Sequence, residues 1–90
     1  MDIDEWRMKI DDVDLQLLKL LNQRAGYALE IGRIKKQRQI PVYSPEREQQ
    51  IFARVTAVNA GPLSNAAVRR LFERIIDENR TLEKEAVGEI

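Results

Sequence analysis

An all-α fold is what this 90-residue sequence predicts, with three helices of which one is very long, and three observations point to it. Helix-breaking chemistry is confined to two stretches, Gln39-Ile40-Pro41-Val42-Tyr43-Ser44-Pro45 and Asn59-Ala60-Gly61-Pro62-Leu63-Ser64. Outside them, apolar residues recur at steps of three and four. Apolar residues make up 43% of the chain and charged ones 33%, a mixture that suits amphipathic helices and not a disordered tail.

The first helix is expected over about residues 4–38, with Asp4 as its cap and the basic run from Arg33 to Arg38 at its negative end. At 1.5 Å per residue it reaches roughly 50 Å, far beyond an average helix of ~11 residues, so half of it lacks a partner inside a compact monomer. Pairing antiparallel with a second copy would give both copies a continuous core. Ser44 followed by Pro45 opens the second helix, over about 45–58. Ser64 caps a third, over about 65–87, which ends before Gly88. No internal repeat or domain boundary interrupts the pattern, so residues 1–90 read as a single domain.

Charge and missing residue types narrow the function. Fifteen Lys plus Arg balance fifteen Asp plus Glu, so no overall positive field exists to hold nucleic acid or an anionic membrane. Any anion site must be local. His and Cys are both absent, which removes imidazole bases, thiol nucleophiles, disulfides and the usual zinc ligands, so neither a metal nor a cofactor is expected. The N-terminus is acidic and broken by charges, unlike a signal peptide, and no apolar run approaches spanning length; the expected location is cytoplasmic.

Polar residues interrupt the apolar stripes. In the first helix the stripe runs Ile3, Trp6, Ile10, Val13, Leu17, Leu21, Arg24, Ala28, Ile31 and Lys35, so two cations stand where leucines would fit. Arg24 and Lys35 are three turns apart, ~16 Å, and a small dianion fits between their side chains. In the third helix Val68, Leu71, Phe72, Ile75 and Ile76 lead into Asn79 and Glu83, one turn apart. Arg47 and Glu48 occupy the first turn of the second helix, ahead of an inward face of Ile51, Phe52, Val55 and Val58. Singly, each has an ordinary reading: a snorkelling Arg or Lys, a register-setting Asn, a surface Glu paired with Arg80 or Lys84, a solvated first-turn acid. Four such interruptions at one end of the bundle point to a site, because buried cations need carboxylates from the protein or from a ligand.

The order and spacing of these residues resemble the all-helical chorismate mutases. The likeness covers about residues 5–85 and rests on Trp6-Arg7-Met8-Lys9-Ile10-Asp11-Asp12-Val13-Asp14, Asn22-Gln23-Arg24, Ile31-Gly32-Arg33-Ile34-Lys35, Pro45-Glu46-Arg47-Glu48 and the run from Arg70 to Asn79. The resemblance implies an intertwined homodimer with two equivalent sites, each completed by Arg7 from the other chain. The helix length agrees: Arg7 and Arg24 are 17 residues apart, ~25 Å along one helix, too far to grip one small ligand within a chain. By matching position, the resemblance implies that Arg24 and the partner's Arg7 hold the two carboxylates of chorismate, and that Arg47 assists at the ring carboxylate. Glu48 would accept from the ring hydroxyl, Lys35 would meet the ether oxygen and a carboxylate, and Asn79 would line the site. Glu83 falls where the family has Gln or Glu facing the ether oxygen. Ser44 departs from one familiar pattern, an acidic residue near the ring hydroxyl, but its backbone N–H can still serve there.

The reaction implied is an intramolecular Claisen rearrangement of chorismate to prephenate, on the route to phenylalanine and tyrosine. Lys35, Glu83 and Arg24 would be its catalytic residues, with Glu83 useful only when protonated. Two rivals stay open at this point: isochorismate-pyruvate lyase, which shares the fold and cationic site, and a non-catalytic helical dimer serving assembly or regulation.

Overall fold

The computed structural model of the protein describes residues 1–88, which form three α-helices: α1 Ile3–Arg38, α2 Pro45–Val58 and α3 Asn65–Val87. No strand occurs among the described residues. α1 begins one residue earlier than expected because Asp2, not Asp4, is its cap: the Asp2 carboxylate accepts from the Glu5 backbone N–H at 3.0 Å. Asp4 instead lies in the first turn with Glu5, where the helix dipole favours negative charge. α1 ends at Gln39, in a left-handed conformation (φ 57°) of the kind glycine usually supplies. There the N–H groups of Gln39 and Ile40 turn back to the carbonyls of Lys36 and Lys35, at 3.3 and 2.9 Å. α3 is closed at both ends, by the Ser64 hydroxyl accepting from the Ala67 N–H (3.1 Å) and by Gly88 in the left-handed region. Ser44 sits at the cap position of α2 but makes no side-chain cap bond; Pro45 sets that first turn.

α3 is the central element, packing against both α1 and α2. Later residues of α1 meet later residues of α3, from Arg24 with Asn79 to Gly32 with Glu83, so these two helices run the same way. α2 runs against α3 and shares a small core with it: Ile51, Phe52 and Ile76, flanked by Val55 and Phe72. Two residues expected on the inward stripes lie outside this core. Val58 is 75% exposed because it ends α2 as the chain leaves for the turn, and Leu71 is 53% exposed because it points off the line from Phe72 to Ile76.

The larger departure concerns α1. Ile3, Trp6, Ile10, Val13 and Leu17 all lie on its apolar stripe, yet each is 49–67% exposed, and the buried residues of α1 are Ala28 and Gly32 alone. The first half of the helix runs out past α2 and α3. The molecule accordingly measures 54 × 24 × 18 Å with a radius of gyration of 16.1 Å, against about 12 Å for a compact chain of this length. Its accessible surface is 7236 Å², where a compact monomer of this mass exposes about 5400 Å². No helix among the described residues is long and apolar enough to cross a membrane.

Candidate active site

The C-terminal half of α1, the first turns of α2 and the second half of α3 enclose a cavity of about 350 Å³. From α1, Arg24 and Lys35 reach it, with Ala28 and Ile31 forming the wall between them. Ser44, Arg47 and Glu48 enter from the start of α2, and Asn79 and Glu83 from α3. Seven of the eight residues singled out in the sequence therefore share one cavity.

Arg7 is the exception. It lies on the uncovered half of α1, its side chain 71% exposed and 3.8 Å from Asp4 one turn earlier.

The two stripe cations are held differently. Arg24 donates from Nη1 to the Asn79 side-chain oxygen, a neutral partner. Burial pulls the Arg24 guanidinium below its ordinary pKa, the nearby cations Arg47 and Arg54 pull it further the same way, and Glu83 opposes them. Such crowding of positive charge is relieved when an anion enters. Lys35 donates to the Val42 carbonyl at 2.8 Å, which pins its ammonium at the loop, and stands 4.0 Å from Glu83 Oε2. Lys35 is thus not the unpartnered cation that the stripe alone describes.

Glu83 packs directly against Gly32 of α1, where a Cβ would stand 3.3 Å from Glu83 Cγ. Burial raises the Glu83 carboxyl above the ordinary carboxylate range, against the opposing pull of Lys35 and then Arg24. It faces Lys35 across the helix pair, not Arg80 or Lys84 along its own surface. A half-buried acid of raised pKa beside an ammonium can donate a proton in a hydrogen bond or accept one, depending on pH.

Glu48 is not a solvated first-turn acid either. Its Oε2 accepts from Arg80 Nη1 at 3.0 Å, with the two side chains 21% and 26% exposed. Arg80 and Arg54 both line the cavity and both escaped the reading of the stripes. A signal for each was present: Arg54 lies two turns after Arg47 on the face that carries Ile51, and Arg80 lies one turn after Ile76. Arginine on the flank of a stripe has so ordinary a role in solvent that spacing alone does not lift it out. Among the described residues no cluster of acids could hold a metal ion.

The chain is similar along most of its length to proteins of known kind. A chorismate mutase of Methanocaldococcus jannaschii is 33% identical over 87 residues, covering 94% of this chain and 87% of its own length. A bifunctional chorismate mutase/prephenate dehydratase of Aquifex aeolicus is 36% identical over 87 residues, covering 92% of this chain and 24% of that protein. The chain thus spans about a quarter of the length of the bifunctional relatives it matches. Among solved structures, chorismate mutase (form II) of Thermus thermophilus superposes with a TM-score of 0.90 at 35% identity, over 91% of this chain and 93% of that one. The Helicobacter pylori chorismate mutase solved in complex with prephenate gives 0.88 at 28% identity, over 98% and 96%. The family described as chorismate mutase type II matches residues 6–84, a span that holds every residue lining the cavity, and the chain belongs to that family.

Proposed function

We propose that this chain converts chorismate to prephenate by an intramolecular Claisen rearrangement, within the route to phenylalanine and tyrosine. The observation that carries the reading is the cavity itself: cations at both ends, and between them an acid of raised pKa facing an ammonium, in a chain of this family. The rearrangement forms one C–C bond as the ether C–O bond breaks. It needs no nucleophile, external base or redox step, so a chain without His and Cys lacks nothing for it.

What the protein supplies is orientation and electrostatics. Arg24, held in direction by Asn79, grips one carboxylate, and Arg47 assists at the ring carboxylate. Clamping both ends folds the enolpyruvyl arm over the ring, into the geometry from which the new bond forms. Negative charge gathers on the ether oxygen as its bond lengthens. Lys35 has one N–H committed to Val42 and others free to meet that oxygen, with protonated Glu83 donating from the opposite side. Glu48 accepts from the ring hydroxyl, and the Ser44 backbone N–H adds a donor near it.

The second carboxylate clamp is Arg7 of another copy. Support comes from the ~25 Å that separates Arg7 from Arg24 along α1, and from the uncovered apolar stripe beside it. The accessible surface exceeds that of a compact monomer by about 1800 Å², which for two chains matches the area an obligate homodimer buries. An intertwined homodimer of single 90-residue mutase domains therefore belongs to this reading. So does a cytoplasmic location, since a doubly charged substrate does not cross a bilayer unaided.

The test is direct. The purified protein is incubated separately with chorismate and with isochorismate, following prephenate and pyruvate. Prephenate from chorismate is the expected result. Pyruvate from isochorismate alone would assign the lyase reaction instead, and a folded dimer that consumes neither would leave an assembly module.

A further inference from the structure

Glu48 is asked to accept a hydrogen bond from the substrate ring, yet a carboxylate on a freely rotating side chain is a poor template. In this structure it is not free. Arg80 of α3 donates to Glu48 Oε2 from Nη1 at 3.0 Å, and its other terminal nitrogen, Nη2, bonds Asp77 one turn earlier. The guanidinium lies over the Tyr43 ring, 5.2 Å from its centroid, in the loop that leads into α2. One residue thus ties α3, the first turn of α2 and the preceding loop together at the wall of the cavity.

We propose that Arg80 is a positioning residue for the reaction, which anchors Oε2 of Glu48 so that Oε1 is presented to the ring hydroxyl of the substrate. This rests on the mutase reading above. Both terminal nitrogens of Arg80 are engaged by protein carboxylates, which separates it from Arg24 and Arg47 as a substrate clamp. Oε1 of Glu48 accepts no hydrogen bond among the described residues, so it is the oxygen left to serve. The pair is also shielded enough to hold its geometry, unlike the exposed helix-surface pairs Arg74–Glu78 and Arg69–Glu73.

The ring hydroxyl takes no part in bond making or breaking, so it meets Glu48 equally in the bound substrate and in the transition state. Loss of the anchor therefore weakens both alike, which raises KM and leaves kcat in place. A merely structural role does the reverse: a smaller folded fraction lowers apparent kcat at unchanged KM.

The experiment is a double-mutant cycle on the full-length protein, with Arg80→Leu, Glu48→Gln and the two combined, and with Arg80→Lys as the conservative variant. Leucine keeps an apolar stem over Tyr43. Expected for Arg80→Leu is a KM for chorismate raised roughly ten-fold with kcat within about two-fold, partly restored in Arg80→Lys. In the Glu48→Gln background, Arg80→Leu should add less than about two-fold, because the group it acts through is already altered. An Arg80→Leu effect of the same size in that background, or a fall in kcat at constant KM, overturns the proposal. If the wild-type protein fails to turn over chorismate, the mutase reading falls separately, and the same proteins titrated with prephenate by calorimetry decide the Arg80 question. Weakening of Kd by Arg80→Leu only when Glu48 is intact supports it; equal Kd values, or no prephenate binding by the wild type, overturn it.

Discussion

Glu83 is the residue whose protonation state matters most to the proposed chemistry. Burial raises its pKa, with Lys35 and Arg24 pulling the other way, so it holds its proton over a wider range than an exposed glutamate does. Activity that needs the proton is highest at low pH and declines as pH rises through the raised value. The linked stability has the same sign: the contribution of a raised-pKa acid is present at low pH and is lost as pH rises through its folded pKa. Glu83→Gln, which donates at any pH, is expected to flatten the alkaline decline of kcat/KM, and superimposable wild-type and variant profiles would remove Glu83 from the donor role. Arg24→Ala and Lys35→Ala are each expected to lose about 3 kcal/mol of transition-state stabilisation, roughly a hundred-fold in kcat/KM, with an unchanged helical circular-dichroism spectrum. Retained turnover in either would dissolve the site as drawn.

At the scale of the helices, the Gly32 crossing is where packing and chemistry meet. A glycine inside a helix is worth about 1 kcal/mol less than alanine, so Gly32, near the C-terminal end of α1, costs some stability at the point where α3 packs close against it. Gly32→Ala puts a Cβ 3.3 Å from Glu83 Cγ, a side-chain atom able to shift by a few tenths of an ångström. The melting temperature should therefore hold or rise slightly, while kcat falls roughly three- to ten-fold as Glu83 is pushed from its place opposite Lys35. A thermal melt and steady-state kinetics on one preparation check both halves, and an unchanged kcat would show that the crossing does not set the position of Glu83.

The whole molecule is governed by what α1 leaves uncovered. A helix that buries only Ala28 and Gly32 in its own chain, and exposes Trp6, Ile10, Val13 and Leu17, presents an apolar face of the kind that marks an interaction surface. If what covers that face is a second copy and each site takes Arg7 from it, two dead proteins should rescue one another. Arg7→Ala and Arg24→Ala subunits, unfolded together and refolded, form heterodimers with one intact site. Random pairing should return up to roughly a quarter of wild-type turnover. A mixture no more active than its parts would place both arginines in the same chain's site or outside it.

Three helices, their two interruptions and most of the cavity wall were legible in the sequence because helical periodicity is local: a polar residue that lands on an apolar stripe announces itself within a few turns. That is how Arg24, Lys35, Asn79 and Glu83 were found, and why the break at Gln39 to Pro45 stood out. The cap at Asp2 was missed because Asp4 offers the same chemistry two residues on, and only the hydrogen bond to Glu5 distinguishes them. Tertiary structure alone decided the rest. Which carboxylate meets which cation depends on how α3 lies between α1 and α2, so the pairing of Glu83 with Lys35 and of Glu48 with Arg80 follows from the close approach at Gly32 and the antiparallel run of α2. Residue spacing along one helix carries no information about rotation against its neighbours, and that rotation turned a flanking arginine, Arg80, into part of the wall of the site.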